Sequence, residues 1–303
     1  MSNHCIALSA FDTCGESVNK EIFKRVRSYG WIIKHGCGFI IINYKTLRTI
    51  IDTEFDRIES RIDRAIHRPF KNRVLFSSSI EIVSKINEQA NLKEPIVKSY
   101  LDSLQSSNLL EQIDYELQKN LPNTRYETIK RFKLGKDWVS ILESIYILIR
   151  LFKPNSIVET GVGEIGMSST YILAALHDNN KGHLYSIDPD KFYQLYGYHI
   201  GSGIPESLKE RHTIIKDISK TSIEPLFRKI GKIDFFLHDG DHSYKTKLFE
   251  YEIAYKYLNN RGIIMSDDTW DSAFDLFIQK YKINGYSIKY GKNDFFSYTY
   301  IRK

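Results

Sequence analysis

Two groups of residues in the C-terminal half combine types and spacings that chemistry requires. The first is Val158-Glu159-Thr160-Gly161-Val162-Gly163-Glu164-Ile165-Gly166, where Gly161, Gly163 and Gly166 form G-x-G-x-x-G. Glycine lets backbone approach a ligand closely, in conformations other residues resist. A strand-like run precedes this turn and a helical run follows. Asp188 closes the next strand-like run about 20 residues on, where a carboxylate can hold two ribose hydroxyls. The ligand expected is a molecule containing a nucleoside. The second group is His238-Asp239-Gly240-Asp241-His242 together with Asp267-Asp268, each directly after an apolar run. Four carboxylates brought to one edge repel one another unless something positive compensates. Alternatively Asp241 and Asp268 cap the helices that follow, as Asp does well.

A dinucleotide and S-adenosylmethionine both fit the first group, and Glu159 separates them. Directly before the first glycine, it sets a negative charge where a pyrophosphate would have to lie, whereas it suits an ammonium or sulfonium. Acceptor activation is the other requirement, since methyl transfer needs in-line alignment and a nucleophilic acceptor more than covalent help. Asp241 or His242, with His238 as a third candidate, can accept the acceptor's proton.

These residues need a scaffold. Strand-like runs at Ser156–Thr160, His183–Asp188, His212–Asp217, Ile233–His238 and Gly262–Ser266 alternate with helical runs such as Met167–His177 and Tyr244–Leu258. That alternation predicts an open, largely parallel α/β sheet whose carboxyl edge collects both groups. Tyr286–Tyr290 and Phe295–Ile301 are joined by a loop too short for a parallel crossover, so the last two strands form an antiparallel hairpin. Asp217 either lies near an adenine or caps the helix starting at Ser219. The stretch Phe192–Gly203, aromatic with three glycines, reads as a mobile lid stacking on the ligand or as a surface loop covering apolar sheet edge.

The runs V-E-T-G-V-G-E-I-G-M-S-S-T, L-Y-S-I-D-P, D-F-F-L-H-D-G-D-H-S-Y and G-I-I-M-S-D-D-T, in that order over about 150 residues, resemble the class I S-adenosylmethionine-dependent methyltransferases. Within that class they are similar to the macrocin-type sugar O-methyltransferases and, more distantly, the catechol O-methyltransferases. The resemblance implies an α/β fold with a Rossmann-like seven-stranded methyltransferase sheet and an antiparallel C-terminal hairpin, preceded by a smaller α+β or helical N-terminal region. It implies that Glu159, Gly161, Gly163, Gly166 and Ser168 line the cofactor's methionine and ribose, that Asp188 holds the ribose, and that Asp217 and Asp239 lie beside the cofactor. It also implies a magnesium ion, or another divalent cation, on Asp239, Asp267 and Asp268, as hard oxygen ligands suit. The family pattern favours the neighbourhood of Asp241 and His242 for the base.

The chain of 303 residues, 42% hydrophobic and 26% charged, is globular in composition. Its three cysteines, Cys5, Cys14 and Cys37, are odd in number and not at metal-finger spacing, so a disulfide framework or zinc site is not expected. No leader pattern opens the sequence and no run spans a bilayer, which predicts a cytoplasmic protein with no membrane partner. Three regions are expected: a small α+β module over 1–75, a helical linker or dimerisation region over 76–135, and the methyltransferase domain over 136–303. The first should run strand (Cys5–Phe11), helix (Val18–Tyr29), hairpin (Trp31–Tyr44) and helix (Lys45–Ile66). Residues 80–110 form a helix pair resembling the helix-turn-helix part of winged-helix domains, which serves packing or dimerisation, or reads DNA if its second helix is basic. The basic segment Arg61–Arg73 is a solvated connector or grips phosphates. A net charge of +6 permits an anionic partner without demanding one. The expected acceptor is a small hydroxylated molecule, sugar- or polyol-like, and the expected assembly a homo-oligomer. Nucleic-acid methylation through the N-terminal region, and a non-catalytic cofactor-binding scaffold, are the competing readings.

Overall fold

A computed structural model describes residues 31–35, 38–42, 73–91, 96–130, 136–194, 197–290 and 294–303. The cysteines and the segments expected at Cys5–Phe11, Val18–Tyr29 and Lys45–Ile66 lie outside the described residues. The chain divides into two compact units, 1–54 and 55–303. In the first, β1 (Trp31–His35) and β2 (Gly38–Ile42) pair antiparallel with Trp31 opposite Ile42, the hairpin expected from the sequence.

The second unit carries an eight-stranded sheet. Its strands in chain order are β3 (Arg73–Phe76), β4 (Ser156–Thr160), β5 (His183–Ile187), β6 (His212–Ile215), β7 (Ile233–His238), β8 (Leu258–Ser266), β9 (Gly285–Tyr290) and β10 (Asp294–Ile301). Across the sheet they run β3-β9-β10-β8-β7-β4-β5-β6. Strands β4 to β8 pair in parallel, while β10 runs antiparallel to both β8 and β9. These seven strands are the expected sheet with its hairpin. The eighth, β3, pairs parallel to β9 at the edge. Its four residues, Arg-Val-Leu-Phe, show no alternation long enough to announce a strand; Val74 and Leu75 are both exposed, and the buried Arg73 side chain anchors it.

Alternate residues along each central strand face opposite layers, as the two-residue period requires. Ile157, Phe235 and Ile263 pack on one face, and Val158, Phe236 and Ile264 on the other. The first face is covered by α5 (Lys136–Phe152) and α6 (Met167–Asp178), the second by α8 (Ser219–Ile230), α9 (Tyr244–Tyr257) and α10 (Ala273–Tyr281). The remaining helices are α1 (Ser79–Ala90), α2 (Ile96–Gln105), α3 (Leu109–Asn120), α4 (Asn123–Lys130) and the four-residue α7 (Lys191–Gln194).

Helix α5 is apolar nearly all round because it is covered on both sides. Ile141, Leu142, Ile145, Ile147, Leu148 and Ile149 are buried, and Pro154 follows just past its end. Helix α1 begins where Ser78 accepts a bond from the Glu81 amide (3.3 Å) and ends at Asn91 in the left-handed conformation (φ 56°). Its Ile82, Val83 and Ile86 are fully buried, and Ser79 Oγ donates to the Ser140 carbonyl of α5 (2.7 Å). The first helix of the expected pair thus packs on α5, and the second, IVKSYLDSLQ, carries one basic residue, Lys98. Among the described residues, no helix is long and apolar enough to cross a membrane.

Candidate active site

The glycine turn leaves β4 and enters α6. Gly161 (φ 85°) cannot be another residue, since an added Cβ would sit 1.9 Å from the Asp239 carbonyl oxygen. That contact brings the two chemistry-bearing turns together. Gly163 (φ 65°) faces open space, as a backbone position approached by a ligand must. Asp188, buried at the end of β5, accepts bonds through Oδ2 from the amides of Val162 (2.7 Å) and Gly163 (2.8 Å). Burial raises its carboxyl, against the downward pull of those two amides. The Oδ1 atom is the oxygen it can turn toward hydroxyls.

Glu159 is completely buried behind the turn. Its carboxylate takes hydroxyl bonds from Ser169, from Ser186 (2.6 Å) and, more weakly, from Ser168 (3.4 Å). Burial pushes it up to about 7 against the pull of those serines. A neighbouring cation would reverse that, because an opposite charge favours the ionised form. Ser186 is also within 2.6 Å of His212 Nε2, so the chain of bonds continues to β6. Burial holds His212 down at about 4.

The segment after β5 is anchored rather than splayed from the turn. Buried Asp190 accepts from Gln194 (2.8 Å), the Ile200 amide (2.9 Å), Lys216 (2.8 Å) and His199 (2.7 Å). Burial raises this carboxyl, but the bond from Lys216 and then the others outweigh it and hold it far below the usual range. The amides of Gly201, Ser202 and Gly203 donate to the carbonyls of Gly163, Glu164 and Ile165 at 2.8–3.0 Å. Tyr198, Ile200 and Ile204 are buried in the core, so this stretch covers apolar surface while flanking the glycine turn. From the helical region, Arg125 of α4 grips Glu164 through Nε (2.9 Å) and Nη2 (2.5 Å), and Tyr198 donates to the same carboxylate (3.1 Å).

Asp217 is exposed just ahead of α8, accepting from the Ile218 amide (2.8 Å) and Thr221 Oγ1 (3.1 Å).

The acidic edge separates into parts with different surroundings. Asp239, His242 and Asp267 each offer one ligand atom within 4.8 Å of the others. Asp268 stands beside them, its Oδ2 3.6 Å from His242 Nε2. Burial and the neighbouring Asp267 raise Asp239 well above the carboxylate range, and burial with Asp268 raises Asp267 to about 6. The group is thus starved of positive charge, which a divalent cation would supply. Tyr290 of β9 donates to Asp267 and, at 3.3 Å, to Asp268; burial and those two carboxylates raise its hydroxyl. Asp241 accepts from the Ser243 amide (3.1 Å) and Thr246 Oγ1 (2.9 Å) in the cap of α9. His238, fully buried below the edge, pairs with Glu250 (2.6 Å), which also accepts from Thr160 (2.6 Å). Only His242 among the three candidate bases stands among the grouped ligand atoms while partly exposed.

Sequence reasoning missed Tyr290, Asp190, Lys216, Lys247 and Arg125. Tyr290 arrives through the C-terminal hairpin and Arg125 through a helix remote in sequence, so no local motif marks either. A lysine one turn into the helix after the acidic turn is the one visible sign for Lys247.

The fold and site define a class: an α/β domain with a glycine turn set beside an acidic edge. Residues 158–269 match the family model described as a methyltransferase domain. A search of curated proteins returned no match. Among solved structures, the chain is similar to an O-methyltransferase from Bacillus cereus in complex with S-adenosylhomocysteine, at 13% identity over 73% of this chain and 97% of that one, TM-score 0.43. It is also similar to the O-methyltransferase TomG from Streptomyces achromogenes, in complex with S-adenosylmethionine, at 16% identity over 62% and 90%, TM-score 0.45. MycE from the mycinamycin biosynthetic pathway, in complex with Mg and S-adenosylhomocysteine, overlaps at 19% identity over 48% and 36%, TM-score 0.35. At these identities the likenesses concern fold alone. The chain carries a methyltransferase domain over residues 158–269.

Proposed function

We propose that the protein transfers the methyl group of S-adenosylmethionine to a hydroxyl of a small polar acceptor, sugar- or polyol-like, with a divalent cation at the acidic edge. The observation that carries this reading is the junction of Gly161 with the Asp239 backbone, which sets the cofactor turn against the Asp239, His242 and Asp267 group. Gly163 and Asp188 receive the adenosyl part, and Glu159 supplies negative charge toward the cofactor's cationic part. In-line alignment follows from holding cofactor and acceptor on adjoining turns.

Asp239 and Asp267, with Asp268 completing the set, would hold the cation. The raised carboxyls of Asp239 and Asp267 and the closeness of their oxygens fit one, and two or three carboxylates suit magnesium or manganese. When bound, such an ion lowers the pKa of an acceptor hydroxyl and orients it. His242 accepts the proton from that hydroxyl at Nε2, and Asp268 steadies the imidazolium that forms. Trp138 of α5 packs on Tyr290 at 5.4 Å between ring centroids, giving the acceptor an apolar wall beside the acids.

Calorimetry with S-adenosylhomocysteine, with and without magnesium, followed by an acceptor screen tests this directly. Replacing Asp267 with Ala should lower turnover at least a hundredfold while cofactor affinity stays within a few-fold. Turnover that survives both the substitution and a chelator removes the cation from the reading; no affinity for the cofactor product defeats the reading as a whole.

A further inference from the structure

Lys247 is the buried cation of α9, its side chain without exposure to solvent. Its ammonium lies 2.6 Å from Asp271 Oδ2, 4.1 Å from the centroid of the Trp270 ring, and donates to the Asp268 backbone carbonyl at 2.8 Å. Burying an ammonium and a carboxylate is costly even when they are paired, so a pair placed here calls for a reason. Asp268 supplies one. It sits at φ 48°, a left-handed conformation uncommon outside glycine though open to Asp, and here its carbonyl is fixed by the lysine. The next residue is held from the opposite side: Arg73 of β3, also buried, donates to the Thr269 carbonyl (2.8 Å) and Oγ1 (2.9 Å) while pairing bidentately with Asp275. Lys247 lies five residues beyond His242 on the helix that Ser243 caps. One side chain therefore ties the turn bearing Asp239 and His242 to the turn bearing Asp267 and Asp268.

We propose that Lys247 is a positioning residue, whose bond to the Asp268 carbonyl holds that left-handed turn so that the Asp268 carboxylate faces His242 and the two acidic turns keep one mutual geometry. It rests on the site reading above for its catalytic consequence, though not for the geometry it asserts. Lys247 touches neither cofactor nor acceptor; it acts through Asp268.

Lys247→Met alone leaves Asp271 buried and unpaired and can unfold the protein, so the decisive variant is Lys247→Met/Asp271→Asn. Asparagine keeps the acceptor for the Ala273 amide, which Asp271 Oδ1 now serves at 2.9 Å, and removes the orphaned charge. Crystal structures of the wild type and this variant with S-adenosylhomocysteine, manganese titrations followed by electron paramagnetic resonance, and steady-state kinetics form the experiment. The expected result is that Asp268 leaves the left-handed region and parts from His242. Manganese affinity and kcat each fall at least tenfold, while cofactor affinity and its KM stay within twofold. A folded variant whose Asp268 turn is unmoved overturns the proposal, whatever manganese does. If the wild type binds no manganese and the turn still moves, the proposal stands and the cation is what falls. A folding defect in the double variant shifts the test to Lys247→Gln, where a turn retained without the ammonium overturns it equally.

Discussion

At the scale of single residues, the site is built from side chains whose surroundings disfavour charge, and Glu159 is the clearest. Its carboxyl is raised to about 7 from an ordinary 4.5 by burial. The folded protein therefore keeps a proton that the unfolded chain has already lost. Stability from this group is full below about pH 4.5 and declines as pH rises through about 7, by about 3 kcal/mol in all. Thermal denaturation of the cofactor-free protein should show that decline across pH 5–7, and Glu159→Gln should flatten it. The same variant should narrow the affinity gap between S-adenosylmethionine and its neutral thioether product, read by calorimetry at pH 7.5. An unchanged gap would mean that Glu159 does not feel the sulfonium. Gly161 gives a second test of a different kind. The Cβ of alanine would meet backbone at 1.9 Å, with no flexible neighbour to yield, so Gly161→Ala should cost about 2–4 kcal/mol by urea denaturation and abolish cofactor binding. Gly163→Ala meets no atom; it should fold with only the smaller cost of a positive φ and lose affinity alone.

Elements were legible in the sequence where local pattern decides them. Strands Ser156–Thr160 and Ile233–His238 and the α6 and α9 helices fall within one residue of their expected limits, because β-branched and aromatic runs bounded by Gly, Pro or Asp leave little choice. The antiparallel hairpin followed from loop length alone. Strand β8 starts four residues before expected, at Leu258, because Leu258 pairs with Ile233 of β7; the polar Asn259, Asn260 and Arg261 fall in a register irregularity before Ile263 meets Phe235. Strand β3 was invisible for a related reason: its identity comes from β9 and from the Arg73 anchor, both remote in sequence. The site followed the same division. Glycine turn, Asp188 and the two acidic turns are local motifs, whereas Tyr290, Lys247 and the Arg125 clamp exist only once helices and hairpin are placed. That clamp makes an element-scale prediction. Arg125 joins α4 to the glycine turn through Glu164, and its side chain is 43% exposed, so solvent screening leaves it little weight in global stability. Arg125→Ala should shift the melting temperature hardly at all yet raise the KM for S-adenosylmethionine several-fold, with kcat nearly unchanged. A fall in kcat with KM preserved would place the clamp's influence on the acceptor side instead.

At the scale of the whole molecule, the acidic edge is held by parts of the chain that arrive from far apart. Arg73 stands about 200 residues before its partners, yet reaches Asp275 of α10, Thr269 of the turn after β8 and Ser297 of β10 at 2.9, 2.8 and 3.1 Å. The eighth strand therefore does more than extend the sheet: it delivers a guanidinium whose fork matches a carboxylate and whose remaining donors satisfy a turn. Losing one partner of a buried pair strands the other, which costs about 3–5 kcal/mol, while removing both together costs far less because desolvation is relieved on both sides. Arg73→Met should accordingly destabilise the protein by that amount in urea, and Arg73→Met/Asp275→Leu should recover most of it. Activity should separate from stability in this pair. The double variant regains a folded sheet but leaves the Thr269 carbonyl without its donor, so turnover should stay at least several-fold low although the melting temperature is restored. Full recovery of both would show that the edge strand serves the fold alone, with no bearing on the turn that carries Asp267 and Asp268.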